Sequence, residues 1–381
     1  MAPAINCRYF NGYKPCGKAL LCEHSCQHFS ENKGSVLIVH LGALGAVVRS
    51  TALLSGIKRK YPQHRIYWLT DKPAHFLLQG HPDIHQVVTS EWQDYVSLKA
   101  ISFEAIFVVD KSLQAVGLAS DLKSDQWFGF KSQNGAIIPA TSAAEELWSL
   151  GLSNHKKFFV NTKSEVQLMY EALELGSFCY QDYDLPLSLQ ESYEAQQRRN
   201  LWRETPSQWI VGINTGCSHV IPYKKLTIEY HRQLIREIKA RWGNAVSIVL
   251  LGGPEDSERN NSIAQELDVI VSATQAGLRD GLVSVAACDI VLTGDSLGMH
   301  MAISQKKHVI AWFGPTCAHE IHFYGRGQAL LSPVSCAPCW KRSCQKDTMC
   351  YDLLPVEEWL SALNRGINEL SQSHSPDRVL G

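Results

Sequence analysis

The sequence predicts an α/β protein of two domains, each with a mostly parallel β-sheet. Short apolar runs alternate with helical patterns, and this alternation occurs in two separate series. A chain of 381 residues also exceeds what one hydrophobic core usually supports. Strands that alternate with helices imply βαβ units with parallel strands and right-handed crossovers.

The first series opens with the apolar run SVLIVHL, which is typical of a buried parallel strand over 35–41. The sequence LGALGA follows, and a helical pattern covers 47–60. Further strands are expected over 65–69 and 104–109, with a helix that begins near Leu113.

The second series repeats the same alternation. Strands are expected over 209–213, 245–251, 269–271, 289–292 and 308–313, and helices over 228–242, 256–266, 280–287, 297–304 and 356–370. The predicted divisions are a cysteine-rich module at 1–33, an N-terminal domain at 34–185, a linker helix at 186–205, a C-terminal domain at 206–372 and a tail at 373–381.

The composition, 45% hydrophobic and 19% charged, is that of an ordinary soluble globular protein. A formal net charge of −1 argues against a nucleic-acid-coating surface. No uninterrupted apolar stretch reaches the roughly 18 residues that suggest a membrane span. The N-terminus lacks the pattern of a secretory signal. We therefore expect a cytoplasmic protein that at most associates peripherally with the inner face of the inner membrane.

The loop LGALGA at 41–46 lies between a predicted strand and a predicted helix. Gly42 and Gly45 permit close backbone approach, and the amide groups at a helix start favour an anion. Tight packing of the strand against the helix explains the same glycines, so both interpretations are open.

A second loop, GINTGCSHVIPYKKLT at 212–227, follows the first strand of the second series. Thr215 and Gly216 lie where that strand ends, which is the edge at which open α/β sheets bind ligands. Lys224 and Lys225 are long enough to reach a diphosphate, and a solvated basic pair is the alternative.

The following strand ends in LLGGPEDSER, residues 250–259. Glu255 is a candidate to accept hydrogen bonds from ribose hydroxyls. The alternative is that Glu255 and Asp256 only stabilise the N-terminus of the next helix.

The most specific stretch is ACDIVLTGDSLGMHMAISQKKHVIAWFGPT, residues 287–316. It places a polar turn at a helix N-terminus, where backbone amides favour a diphosphate. The candidate binding residues are Asp295, Ser296, Leu297, Gly298 and His300, followed at the end of the next strand by Gly314, Pro315 and Thr316. A helical histidine is more often only a structural residue, but the preceding turn favours a ligand role here.

In this order, the motifs resemble those of the glycosyltransferase family 9 heptosyltransferases over nearly all of 35–360. The matching segments are VLIVHLGALG, YP followed by IYWLTDK, NTG with a downstream lysine, LLGGPED, GDSLGMH and WFGPT. The resemblance implies the GT-B architecture, in which two facing Rossmann-like domains enclose the active site. It also implies inverting transfer of heptose from ADP-heptose without a metal or other catalytic cofactor.

The resemblance also implies roles for individual residues. Lys224 is similar to the family lysine at the diphosphate, Glu255 to the acid that contacts ribose, and 295–298 with His300 to the turn that holds both groups. The C-terminal domain would hold the ADP-sugar donor. The N-terminal domain, with its glycine loop, would present the acceptor, a lipopolysaccharide-core glycan or a protein.

One position departs from the family pattern. The family loop ends in Gly-Asp, whose aspartate is the expected general base, and here that position is Ala46. Loss of a positioned base typically lowers a rate by about 10²–10⁴-fold. Three interpretations are open: Ala46 is an engineered inactivation, Asp110 or His40 replaces the base, or the chain binds nucleotide-sugar without turnover. The alternative for Asp110 is that it only caps the end of its strand, and the alternative for His40 is that it is a structural residue.

Twelve cysteines are many for a reducing compartment, and eight of them form two clusters. The clusters are Cys7, Cys16, Cys22 and Cys26, and Cys336, Cys339, Cys344 and Cys350. Each set suits a structural zinc or iron ion. The second set resembles cysteine patterns in parts of the family, including iron-binding autotransporter heptosyltransferases, and the first resembles an extension on some family members. Uncoordinated thiols or disulfides are the alternative. Neither set has the paired histidines and basic helix of a nucleic-acid zinc finger, so no nucleic-acid partner is expected.

Overall fold

A computed structural model of the protein describes residues 4–373. Most of the predicted tail, 374–381, therefore lies outside the described residues, as do 1–3 of the cysteine-rich module. The chain divides after Asp184 into two compact units, here called unit 1 and unit 2. Among the described residues, no helix combines the length and apolarity needed to cross a bilayer.

Unit 1 contains a six-stranded sheet in the order β3-β2-β1-β4-β5-β6. The strands are β1 Gly34–Val39, β2 His64–Thr70, β3 Gln86–Thr89, β4 Ser102–Val108, β5 Lys123–Gln133 and β6 Ala136–Pro139. The helices are α1 Leu44–Ser50, α2 Leu54–Lys60, α3 His75–Leu78, α4 Trp92–Leu98, α5 Leu113–Ser120, α6 Glu145–Leu152 and α7 Glu165–Ala172. Only the β5–β6 pair of this sheet is antiparallel.

Unit 2 contains a second six-stranded sheet, in the order β12-β11-β10-β7-β8-β9, with every pair parallel. The strands are β7 Trp209–Asn214, β8 Val246–Leu251, β9 Ile270–Val271, β10 Ile290–Gly294, β11 His308–Phe313 and β12 Gly327–Leu331. The helices are α8 Leu189–Trp202, α9 Ile228–Trp242, α10 Ser257–Ala264, α11 Leu278–Ala287, α12 Leu297–Ser304 and α13 Val356–Ser373.

Both sheets have the doubly wound topology, and the predicted α/β class with two mostly parallel sheets is confirmed. The direction of strand succession reverses between β1 and β4 in unit 1 and between β7 and β10 in unit 2. Loops that leave two such neighbouring strands diverge to opposite sides and leave a crevice at the carboxyl ends of the strands. Each unit therefore has one edge at which a ligand site is expected.

The strand and helix patterns follow from burial. All six residues of β8 are buried, as expected for a parallel strand covered by helices on both faces. Helix α9 buries Leu234, Ile235 and Ile238 on one face, and Thr227 caps its first turn by accepting a hydrogen bond from the Tyr230 amide, 3.1 Å away.

One local expectation needs correction. Helix α1 begins at Leu44, not at Val47, because Ala43 is the last extended residue and Gly45 and Ala46 already belong to the first helical turn. The helix predicted as a linker is α8, which packs on α11 of unit 2. Arg198 of α8 binds the Asp280 carboxylate, which fixes α8 to α11.

Gly56 of α2 is required by a close contact inside unit 1. A Cβ atom there would lie 2.5 Å from the hydroxyl oxygen and 2.7 Å from Cζ of the fully buried Tyr170. The Gly56→Ala variant is expected to lower the free energy of unfolding by about 1–3 kcal/mol, because a packed core resists added volume.

Gly117 of α5 is the matched control, because nothing lies within 4 Å of its added Cβ. Gly117→Ala is expected to raise stability by roughly 0.5–1 kcal/mol, the helix-propensity difference. Urea unfolding of both variants measures this, and equal effects at the two positions would contradict the packing argument.

Candidate functional site

The side chain of Asn214 joins the two strands that flank the crevice of unit 2. Asn214 is the last residue of β7, and its Nδ2 donates to Ser296 Oγ at 3.0 Å and to Thr293 Oγ1 at 3.2 Å. The same amide nitrogen donates to the Gly216 carbonyl at 3.0 Å. One amide thus holds together the two loops that the sequence assigned to donor binding.

Lys224 and Asp295 meet at this edge. Lys224 ends a 3₁₀ turn after β7, and its Nζ lies 3.4 Å from Asp295 Oδ2, with each side chain 16% exposed. His300 Nε2 lies 4.0 Å from Asp295 Oδ1. A lysine, a carboxylate and an imidazole therefore lie together beside the N-terminus of α12, where amide groups favour an anion.

Two glycines of the TGDSLG motif are required by close packing, Gly294 against backbone and Gly298 against a side chain. A Cβ atom on Gly294 would lie 2.1 Å from the carbonyl oxygen of Lys224. A Cβ atom on Gly298 would lie 2.6 Å from the Asn214 amide carbon. The glycines therefore let the lysine loop and the start of α12 come within contact distance of the strand ends.

Thr215 and Gly216 form a buried wall beside β8. The Thr215 hydroxyl donates to Asn260, and its carbonyl accepts from Arg259 Nε at 3.2 Å. A Cβ on Gly216 would lie 1.9 Å from Asp256 Oδ2, so only glycine fits. The side chain of Thr215 is thus committed to packing, and the surface it offers a ligand is backbone.

Glu255 and Asp256 have separate environments. Glu255 is exposed, whereas Asp256 is 2% exposed and accepts a hydrogen bond from the Gly253 amide at 3.0 Å. Burial raises the pKa of Asp256, with a smaller contribution from the charge of Glu255. Asp256 is therefore a structural residue of the loop, and Glu255 is the acid whose side chain is accessible.

The turn of Gly314, Pro315 and Thr316 is buried and contacts the second cysteine cluster. The backbone amides of Cys339 and Trp340 donate to the Pro315 carbonyl at 3.1 and 2.8 Å. A Cβ on Gly314 would lie 2.7 Å from Cys350 Sγ. The cysteine segment thus packs directly against a turn that the sequence assigned to donor binding.

The four thiols of this second cluster line one cavity. Burial raises the pKa of Cys350 to about 11, and the charges of Cys339, Cys344 and Cys336 act in the same direction. Four thiols that line one cavity are candidate sulfur ligands for a metal ion, and such an ion stays a prediction. In the described residues, two sets of potential metal ligands have their ligand atoms within 4.8 Å of one another. They are Cys317, His319 and Glu320, and His81, Asp83 and Asp184, and neither set includes a thiol of this cluster.

The first cysteine cluster lies in a loop-rich segment, 4–33. The Ala4 amide donates to the Cys22 carbonyl at 3.3 Å, and Arg65 of β2 donates to the Cys7 carbonyl at 2.6 Å. Within the described residues, which include all twelve cysteines, no disulfide bond is present. A metal site in this segment stays a prediction.

In unit 1, Asp110 fixes the glycine loop. Asp110 follows β4, and its Oδ2 accepts the Leu41 amide hydrogen bond and that of Gly42, the latter at 2.9 Å. A Cβ on Gly42 would lie 3.0 Å from Asp110 Oδ1. Ala46 lies in the first turn of α1 and has no carboxylate. The carboxylate that contacts this loop is that of Asp110.

Buried ionisable side chains lie around His40, which is next to Asp110. His40 Nε2 lies 3.8 Å from Asp110 Oδ1, and His40 Nδ1 lies 2.8 Å from Ser50 Oγ. Burial lowers the pKa of His40, which Asp110 offsets only in part. Burial alone would raise the pKa of Glu165, but Arg49, 2.5 Å away, and nearby lysines lower it to about 2.

Comparison with known sequences identifies one family. The family model described as glycosyltransferase family 9 (heptosyltransferase) matches residues 98–350, about two thirds of the chain. No curated protein is significantly similar to the chain in sequence.

Solved structures share the fold. A glycosyltransferase family 9 protein from Veillonella parvula has a TM-score of 0.66 at 15% identity, with 89% of this chain and 98% of that chain covered. The ADP-heptose lipopolysaccharide heptosyltransferase II of E. coli has a TM-score of 0.63 at 16% identity, with 88% and 99% covered. The iron-containing dodecameric glycosyltransferase TibC of enterotoxigenic E. coli has a TM-score of 0.53 at 10% identity, with 90% and 77% covered.

The raised pKa of Asp256 predicts a pH dependence of stability. Because the folded state raises the pKa of this carboxyl above its ordinary value of 3.8, the protonated form favours the folded state. This contribution to the free energy of unfolding is complete below pH 3.8 and is lost as the pH rises through the folded-state pKa. Wild type should therefore lose stability above pH 3.8 relative to Asp256→Asn, which keeps an acceptor for the Gly253 amide.

Urea unfolding across the acidic range measures this difference. Asp268→Asn is the control, because Asp268 is an exposed aspartate that pairs with Lys239 at the surface. Parallel stability curves for wild type and Asp256→Asn would show that the buried carboxyl is not titrating as expected.

Proposed function

Because the chain belongs to glycosyltransferase family 9, we propose that it transfers a heptose, or a similar sugar, from an ADP-sugar to a glycan acceptor with inversion. The observation that carries the proposal is the Lys224–Asp295 pair beside the N-terminus of α12 at the unit 2 crevice. The heptosyltransferase II of E. coli, whose fold this chain shares, is named for ADP-heptose and lipopolysaccharide. A lipopolysaccharide-core glycan is thus the first acceptor to test, with a protein acceptor as the second, and a cytoplasmic location fits this role.

The unit 2 site suits a leaving diphosphate. Departure of ADP places negative charge on the phosphate oxygens, and a fixed lysine and amide dipoles stabilise that charge without reorganisation. Asp295 positions Lys224, and the Asn214 amide holds the turn that presents the amides of α12. Glu255, exposed at the end of β8, is the proposed ribose contact.

Asp110 is the proposed general base. When the acceptor hydroxyl attacks the anomeric carbon, its proton must pass to a group at the acceptor-side loop, and Ala46 cannot take it. Asp110 Oδ2 is occupied by two backbone amides, so Oδ1, which faces Gly42, is the oxygen available to the hydroxyl. His40, adjacent to the same oxygen, supports the carboxylate.

A second candidate function has one specific observation in its favour. Ala46 occupies the family base position, and Asp110 is already engaged as a loop anchor. A chain with this arrangement that binds ADP-sugar and does not turn it over would act as a nucleotide-sugar-binding subunit.

We also propose structural metal, zinc or iron, at the cysteine clusters. The second cluster is the better supported, because its four thiols line one cavity behind the Gly314–Thr316 turn. A closed set of four thiolates would fix this turn and leave no open position for catalysis. TibC, which is described as iron-containing, shares the fold.

The donor assignment predicts a specific loss of affinity. Lys224→Met should weaken ADP binding by roughly 10–150-fold, the equivalent of about 1.5–3 kcal/mol for a charge-assisted hydrogen bond. Lys239→Met, on the surface of α9, is the control and should bind ADP as wild type does. Calorimetric titration with ADP measures both, and unchanged affinity in Lys224→Met would remove the donor assignment.

The base assignment predicts a loss of turnover without a loss of binding. Asp110→Asn should lower kcat by about 10²–10⁴-fold and leave ADP affinity unchanged, because asparagine keeps an acceptor for the loop amides. Asp121→Asn, exposed beyond α5, is the matched control. Mass spectrometry of a lipopolysaccharide-core acceptor incubated with ADP-heptose measures transfer.

Ala46→Asp separates the two candidate functions. If wild type transfers the sugar and Asp110→Asn does not, the chain is an enzyme with Asp110 as its base. Transfer by Ala46→Asp alone would show that the base is missing in this chain and that Asp110 does not replace it. ADP binding without transfer in every variant would favour the binding subunit.

A further inference from the structure

A compact group of three different metal ligands follows the Gly314–Thr316 turn. The group consists of Cys317, His319 and Glu320, and one ligand atom from each lies within 4.8 Å of the others. Cys317 is the N-cap of the 3₁₀ turn Ala318–Glu320, so all three side chains leave one tight turn. We propose that this group is a divalent transition-metal site, separate from both cysteine clusters.

The distances suit one ion. Zinc lies about 2.3 Å from thiolate sulfur and about 2.0–2.2 Å from imidazole nitrogen or carboxylate oxygen. Two ligands of one ion are thus at most roughly 4.5 Å apart, so ligand atoms within 4.8 Å need only small side-chain movements to bind.

Burial distinguishes this group from a surface cluster of acids. Cys317 is 3% exposed and Glu320 is 8% exposed, and His319 is half-buried. A bound cation would stabilise a thiolate and a carboxylate in such an environment, where charges are costly unless they are compensated. The group thus has the character of an enclosed site with one accessible side.

The surroundings hold the ligands in place. The 3₁₀ turn follows β11 and closes with a hydrogen bond from the Ile321 amide to the Ala318 carbonyl at 3.0 Å. The indole nitrogen of Trp340 donates to Cys317 Sγ at 3.4 Å, which favours the sulfur as an acceptor. Such outer contacts orient metal ligands and tune their basicity.

A fourth ligand position remains. Thr316, adjacent in sequence and 4% exposed, has a buried hydroxyl with no hydrogen-bond partner among the described residues. A site with sulfur, nitrogen and oxygen ligands suits Zn²⁺, Co²⁺ or Fe²⁺ rather than Mg²⁺ or Ca²⁺, which prefer oxygen alone. Three protein ligands with a free position are also typical of zinc sites that bind a further small ligand.

The site is distinct from the second cysteine cluster. The cavity that Cys336, Cys339, Cys344 and Cys350 line does not include Cys317. The two sites adjoin through Trp340, which contacts Cys317 and follows Cys339 in the chain. Substitution of a histidine or a glutamate therefore tests the new site without removing a thiol from either cluster.

The experiment counts bound metal in the full-length protein. Wild type, His319→Gln and Glu320→Gln are stripped with a chelator, reloaded with zinc, desalted and analysed by mass spectrometry for zinc per chain. His322→Gln is the matched control, a histidine of the same segment outside the group. Circular dichroism confirms that each variant is folded.

His319→Gln and Glu320→Gln should each lose one zinc ion per chain relative to wild type, and His322→Gln should lose none. Wild-type zinc content in both folded triad variants would overturn the proposal, whatever the cysteine clusters bind. Equal loss in His322→Gln would also overturn it, because the loss would then not be specific to the three ligands.

A measurement on wild type keeps the test valid if the variants do not fold. Diethylpyrocarbonate modification of His319 should slow roughly tenfold at free zinc about ten times Kd, while modification of His322 stays unchanged. An unchanged rate at His319 in saturating zinc would overturn the proposal. Because neither readout uses sugar transfer, the outcome is independent of the proposed function.

Discussion

The candidate site of unit 2 depends on one shared side chain, the amide of Asn214. Its nitrogen donates to Thr293 within β10, to Ser296 just after β10 and to Gly216 after β7. These strands are neighbours only because the sheet reverses its strand succession between them. The Asn214 contacts add to the Lys224–Asp295 pair and to the close approach of the Lys224 carbonyl to Gly294, which join the same two loops.

The two crevices use the same geometry with different chemistry. In unit 1 the central group is a carboxylate, Asp110, held by the amides of the glycine loop. In unit 2 the central groups are an amide and a lysine beside a helix N-terminus. A carboxylate suits the uptake of a proton, and a lysine with helix amides suits the stabilisation of phosphate charge.

The cysteine-rich segment after β12 packs against the Gly314–Thr316 turn. Cys339 and Trp340 bind the Pro315 carbonyl, and Cys350 contacts Gly314. Any ion in the cluster would thus rigidify a buried turn at the carboxyl end of β11. The turn continues directly into Cys317, so the proposed metal group and the cluster support the same strand end from two sides.

The sequence determined much of this protein because its strands are buried on both faces. The runs at 209–214, 246–251 and 308–313 are almost entirely apolar, and their ends were predicted within about a residue. Elements with mixed patterns were not predicted, such as α4 and the long β5, which is half exposed and pairs with β6 as an antiparallel hairpin. Motif order was enough to indicate the family, because glycines forced by close backbone approach leave a readable pattern.

Only the tertiary structure decided which side chains in those motifs are accessible. The sequence could not separate Glu255 from Asp256, since burial depends on the Gly216 loop that packs on Asp256 from 40 positions away in the chain. It could not show that Asp110 reaches the glycine loop, because β1 and β4 are neighbours only in the sheet. Local patterns fix strands, helices and turns, whereas the partners of a carboxylate or thiol are set by strand order, which no short segment encodes.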